Sequence, residues 1–96
     1  MRPSQAVALH RDALLDITRR HGVFNVRIFG SVARGEDTDK SDVDLLVDAP
    51  RGTTYFDLVD IQDEAEKLTG VRFDVCTPQC LSERLRDKVL QAAKPL

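Results

Sequence analysis

Residues Gly30–Asp48 read GSVARGEDTDKSDVDLLVD. The stretch joins a turn, a polar loop and a strand. Residues 31–36 fit one short helical turn, residues 36–41 (EDTDKS) a polar loop, and residues 42–48 (DVDLLVD) a strand. Strand residues two apart share a face. Asp42 and Asp44 therefore lie side by side, with Val43 and Leu45 turned toward a core. Six carboxylates fall between residues 36 and 48 against one cation, Lys40. Most of such a run is expected to be a solvated face. The Asp42/Asp44 pair differs, because like charges this close repel unless a cation sits between them. Hard oxygen donors suit Mg²⁺, which keeps several waters and bridges carboxylates to phosphates.

Upstream, residues 23–29 (VFNVRIF) predict a strand with Phe24, Val26 and Ile28 on one face. Residues 4–21 predict one helix, capped by Ser4, with Ala6, Leu9, Ala13, Leu14 and Ile17 at helical spacing and Gly22 as its stop. Downstream, Ala49-Pro50-Arg51-Gly52 marks a turn. Thr54 and Asp57 resemble a capping box opening a second helix. Its apolar stripe is Leu58, Ile61, Ala65 and Leu68, and Gly70 ends it. Residues 71–76 (VRFDVC) predict a third strand with Val71, Phe73 and Val75 on one face. After Pro78, Leu81, Leu85, Val89 and Ala92 mark a last helix, in which Leu81, Leu85 and Val89 are expected to serve core packing, with a docking surface for a partner as the alternative. The order predicts an α/β (α+β) fold: a small mixed sheet of three or more strands, with helices mainly on one face. Sheet order is not fixed by spacing.

Asp74 sits opposite Val71, Phe73 and Val75, on the face it shares with Arg72. If the second and third strands are neighbours, Asp74 approaches Asp42 and Asp44; otherwise that face is simply solvated. Gly30 lets backbone approach a ligand closely. The Ser31 hydroxyl and the amides after it can hold phosphate oxygens, or Ser31 can be an ordinary cap. Arg34 is a candidate phosphate contact or a plain surface cation. Gly30 and Gly35 imitate a P-loop, but Glu36 and Asp37 stand where lysine and a hydroxyl are needed, so that loop would repel phosphate. Asp37, Asp39 and Ser41 begin like an EF-hand, yet Asp42 replaces the required glycine. His10 and His21 read as helix-surface residues. Cys76 and Cys80 are spaced C-x3-C, which is neither a zinc nor a redox motif, and read as two half-buried thiols.

The chain has 96 residues, enough for one domain, assigned here as residues 1–96. It is 42% hydrophobic and 31% charged, a globular rather than disordered composition. The net charge of −2 argues against direct nucleic-acid binding, which needs a basic footprint. No apolar run approaches a membrane span, and the N-terminus lacks a signal-peptide core, so a cytoplasmic protein is expected.

Taken together, Gly30-Ser31, ten intervening residues and Asp42-Val43-Asp44 match the GS-x10-D-x-D pattern of polymerase β-like nucleotidyltransferases. The whole stretch resembles their minimal nucleotidyltransferase (MNT) members, and the resemblance covers nearly the whole chain. It implies transfer of a nucleoside monophosphate, AMP from ATP by default, to a hydroxyl, with pyrophosphate released. It also implies that Gly30 and Ser31 hold the triphosphate and that Asp42 and Asp44 bind two Mg²⁺ ions. Asp74 would match the family's third carboxylate, near the attacking hydroxyl. Such minimal members pair with HEPN-domain ribonuclease toxins, and similar antitoxins silence them by placing AMP on a tyrosine. Two other readings stand beside this one: a non-catalytic module that neutralises a HEPN partner by binding it, and nucleotidyl transfer to a small molecule. The small-molecule relatives carry an added acceptor domain. The base, the acceptor and the oligomeric state are not legible.

Overall fold

The computed structural model describes all of residues 1–96. In chain order the elements are α1 (Pro3–Leu9), α2 (Arg11–Arg20), β1 (Phe24–Phe29), α3 (Gly30–Arg34), β2 (Val43–Asp48), α4 (Tyr55–Thr69) and β3 (Phe73–Cys76). A 3₁₀ turn (Pro78–Cys80), α5 (Glu83–Ala92) and β4 (Lys94–Pro95) follow. The sheet has 4 strands in the order β3-β2-β1-β4. β2 and β3 run parallel, whereas β1 is antiparallel to both β2 and β4. The mixed sheet matches the expected fold class.

Alternation in β2 builds the centre. Val43, Leu45 and Val47 are fully buried and join Phe73 and Val75 of β3. Leu14 and Ile17 of α2, with Leu58, Ile61 and Ala65 of α4, close over that face. Leu46 points the other way and is fully buried too. Each fully buried leucine contributes roughly 2–3 kcal/mol by leaving water. The capping box at α4 forms as expected, with the Thr54 amide donating to Asp57 Oδ2 at 2.7 Å. Gly70, at φ +73°, ends the helix in the left-handed conformation.

Several expectations are corrected. The helix expected over 4–21 is two helices, because the chain breaks at His10, at φ −106° and ψ 18°. Its start is at Arg2 with Pro3 in the first turn, so Ser4 is not the cap. Leu9 is 66% exposed as a result. In β1, Asn25 takes φ +51° and adds one extra residue, so that Phe24 pairs with Asp48 but Arg27 pairs with Leu46. That bulge turns Phe24 outward and sets Val23 inward with Val26 and Ile28. The acidic loop is not solvated throughout. Asp37 is buried, accepting from the Ser4 amide at 2.9 Å and from Arg2 Nη2 at 3.2 Å, and so pins the start of α1. Finally, α5 buries no residue, and Leu85 is 53% exposed. His21 is half-buried and hydrogen-bonds Glu64, tying α2 to α4 rather than standing free on the surface.

Candidate active site

The sheet register assembles the carboxylates. Phe29, the last residue of β1, lies opposite Asp44, and Asp44 lies opposite Asp74 across the parallel β2/β3 pair. Asp42 comes just before β2, where the Val43 amide donates to the Arg72 carbonyl at 2.9 Å. Asp42, Asp44 and Asp74 thus gather at one end of the sheet, where β1 gives way to Gly30.

Gly30 is needed there for two reasons. Its φ is +73°, and a Cβ on it would overlap Asp44 Oδ2 and stand 3.3 Å from Asp44 Cγ. The Asp44 carboxylate therefore lies directly against the turn backbone. Ser31 follows in the first turn of α3, half-buried; Phe29 caps this helix, so Ser31 is not spent as a cap. First-turn amides of a helix have no partner within it. Arg34, in the last turn of α3, is exposed and pairs loosely with Glu36 at 3.2 Å.

The charges respond as crowded anions do. Burial, then Asp74, then Asp42 push the Asp44 carboxyl up from 3.8 to about 6, while Arg34 pulls it down. Asp42 and Asp74 are more exposed, and Asp42 has only Arg72, at 3.9 Å, as a cation beside it. The three carboxylates do not close into a ready three-ligand cage. Repulsion keeps such groups apart, and an open oxygen set suits Mg²⁺, which completes its shell with water and substrate phosphate. The donor chemistry and the mutual repulsion both fit a divalent cation.

A cavity of about 210 Å³ opens beside the turn, lined by Phe29, Gly30, Arg34, Lys88, Val89 and Ala92. Lys88 and its cavity were missed in the sequence, although Leu85, Lys88, Val89 and Ala92 share one face of a helix by spacing. The largest cavity, about 320 Å³, lies around Arg51–Tyr55 and Cys80, near the opposite end of β2 from the carboxylates. Both cysteines are free, and burial pushes the Cys76 thiol up to about 12, leaving it inert at neutral pH.

Two carboxylates give the metal-free protein opposite pH slopes. The Ser4 amide, helped by Arg2, holds Asp37 down at about 2, against 3.8 unfolded. Its stabilising effect is present above pH 4 and is lost as pH falls toward 2. Asp44 is raised, so the folded state binds its proton more tightly and stability falls as pH rises from about 4 to about 6. After allowance for solvent screening, the Asp44 effect is on the order of 1–2 kcal/mol. Urea unfolding across pH 2–8 should show a maximum near pH 4; Asp44→Asn should flatten the upper limb, and an unchanged limb would contradict this assignment.

A small mixed sheet carrying paired aspartates across from a Gly-Ser turn defines an α/β nucleotidyltransferase. The chain belongs to the nucleotidyltransferase domain family, whose model matches residues 11–95. It is 38% identical over 80 residues to a Methanocaldococcus jannaschii protein provisionally named a protein adenylyltransferase, covering 83% of this chain and 86% of that one. It also resembles the solved structure of a provisionally assigned minimal nucleotidyltransferase, with TM-score 0.86 and 43% identity over 97% of this chain and 95% of the other. A likeness of fold alone links it to a Shewanella oneidensis complex described as a tri-AMPylated HEPN toxin with an MNT antitoxin. There the TM-score is 0.70 and the identity 16%, over 92% of this chain and 69% of that one.

Proposed function

We propose that residues 1–96 act as one minimal domain that transfers AMP from ATP to a tyrosine hydroxyl of a HEPN-domain toxin, silencing it in the cytoplasm. The observation that carries the reading is the Asp42–Asp44–Asp74 cluster set against the Gly30 turn. Asp42 and Asp44 would hold Mg²⁺, expected as two ions, with Asp74 as a third ligand. When bound, the ions supply positive charge to the attacking and leaving oxygens of an in-line displacement. Gly30 admits the polyphosphate close to the backbone, Ser31 and its neighbouring amides donate to phosphate oxygens, and Arg34 adds charge. Asp74, which is exposed, would take the proton of the attacking hydroxyl. The hydroxyl oxygen bonds to the α-phosphorus, the bond to the bridging oxygen breaks, and pyrophosphate leaves.

The choice of acceptor leans on the HEPN toxin in the similar complex and on the apolar surface of α5. Leu85 and Leu90 there are 53% and 41% exposed, which also favours the second reading, neutralisation by binding alone. α-Labelled ATP, Mg²⁺ and the co-purified partner separate the two. Fragment masses should place AMP on a partner tyrosine. A partner that is inhibited without ATP and stays unlabelled would support the binding module instead. Net charge −2 fits a protein partner better than nucleic acid.

A further inference from the structure

α5 carries the sequence stripe of a packed helix, yet none of its residues is buried. The helix is tied at its start to the turn that precedes it and, past its end, to β1. Arg86 Nε donates to the Pro78 carbonyl at 2.8 Å and its Nη2 to the Leu81 carbonyl at 3.0 Å. Past its C-terminus, Lys94 pairs with Ile28, and the Leu96 amide donates to the Val26 carbonyl at 2.9 Å. Leu96 also packs against the core, and Arg11 donates to its carbonyl oxygen. Between these anchors the face made by Lys88, Val89 and Ala92 spans the cavity over Phe29 and Gly30.

That cavity has a consistent chemistry. Phe29, Val89 and Ala92 supply apolar wall, and Arg34 and Lys88 supply two cations from different elements. No carboxylate lines it. Lys88 has no carboxylate within ion-pair distance anywhere in the chain. Arg34 has only the exposed Glu36 pair, which costs little to give up. Gly30 forms one edge of the cavity, and the Asp44 carboxylate lies directly against it. An anion seated there would therefore adjoin the carboxylate cluster. At about 210 Å³ and open to solvent, the cavity has room for part of a phosphate chain.

We propose that Lys88, carried on α5, is a binding residue for the donor's polyphosphate, gripping it opposite Arg34 across the cavity over Gly30. The inference rests on the nucleotidyl-transfer reading and adds to it a residue outside the GS-x10-D-x-D pattern. Its charge is what matters, so the conservative variant Lys88→Arg should rescue what Lys88→Ala loses.

The test is titration calorimetry of ATP with Mg²⁺, and separately of inorganic triphosphate, against the full chain and its Lys88→Ala and Lys88→Arg variants. Lys88→Ala should weaken both ligands about tenfold, with Lys88→Arg within about threefold of the parent. In transfer assays the loss should fall mainly on KM for ATP. The melting temperature should not move, since Lys88 is exposed. Parent-like affinity in Lys88→Ala, with ATP still bound by the parent, would overturn the Lys88 assignment and leave the nucleotidyl-transfer reading standing. A parent protein that binds neither ligand would overturn both.

Discussion

Changing Asp42 and Asp44 together to asparagine should lower nucleotidyl transfer by about a thousandfold or more, while the fold persists. The side chains keep their shape and lose only charge, which is what a divalent cation needs. The apo protein should in fact gain stability at pH 7–8, because Asp44 is held ionised there against burial and its two neighbours. Lower activity joined to higher stability is a combination that damage to the fold does not produce. Thermal unfolding with and without Mg²⁺ reads the second half: the cation should raise the melting temperature of the parent and leave the variant unmoved. Transfer within tenfold of the parent in the double variant would remove the carboxylates from the reaction.

Gly30→Ala carries the next largest effect. At φ +73° an alanine pays about 1 kcal/mol of backbone strain. It also drives its Cβ into the Asp44 carboxylate, which must rotate away. A ligand displaced by an ångström can cost about a hundredfold in rate, so transfer should fall 10- to 100-fold. Gly35→Ala is the matched control. Gly35 has φ +71° and open space around its Cβ position, so that variant should lose similar stability and keep its activity. Equal activity in the two variants would show that the Gly30–Asp44 contact does not matter.

Much of this site was legible because the chemistry lies in local spacing. Alternation alone put Asp42 and Asp44 on one side and Val43 and Leu45 on the other, and the buried Val43 and Leu45 agree. Asp74 was conditional: only the parallel pairing of β2 and β3 sets it opposite Asp44, and pairing is a long-range choice. The misses have physical causes of the same kind. The Asn25 bulge breaks the period of two, so Phe24 reads as sharing a face with Val26 and Ile28 and instead stands exposed. Asp37 is buried because distant residues, Ser4 and Arg2, come to meet it. β4 is two residues long and exists only by pairing with β1. The stripe of α5 has true helical spacing, but its face meets a cavity rather than the core, and spacing does not say what a face meets.

The most direct test of the central claim is the intact mass of a HEPN-domain partner co-expressed with this chain or with its Asp42→Asn/Asp44→Asn variant. Modification with AMP should add steps of ~329 Da with the parent chain and none with the variant. A partner that stays at its unmodified mass beside the parent chain, yet is held inactive in a stable complex, would contradict the account and make the protein a binding antitoxin whose carboxylates do not carry out the reaction.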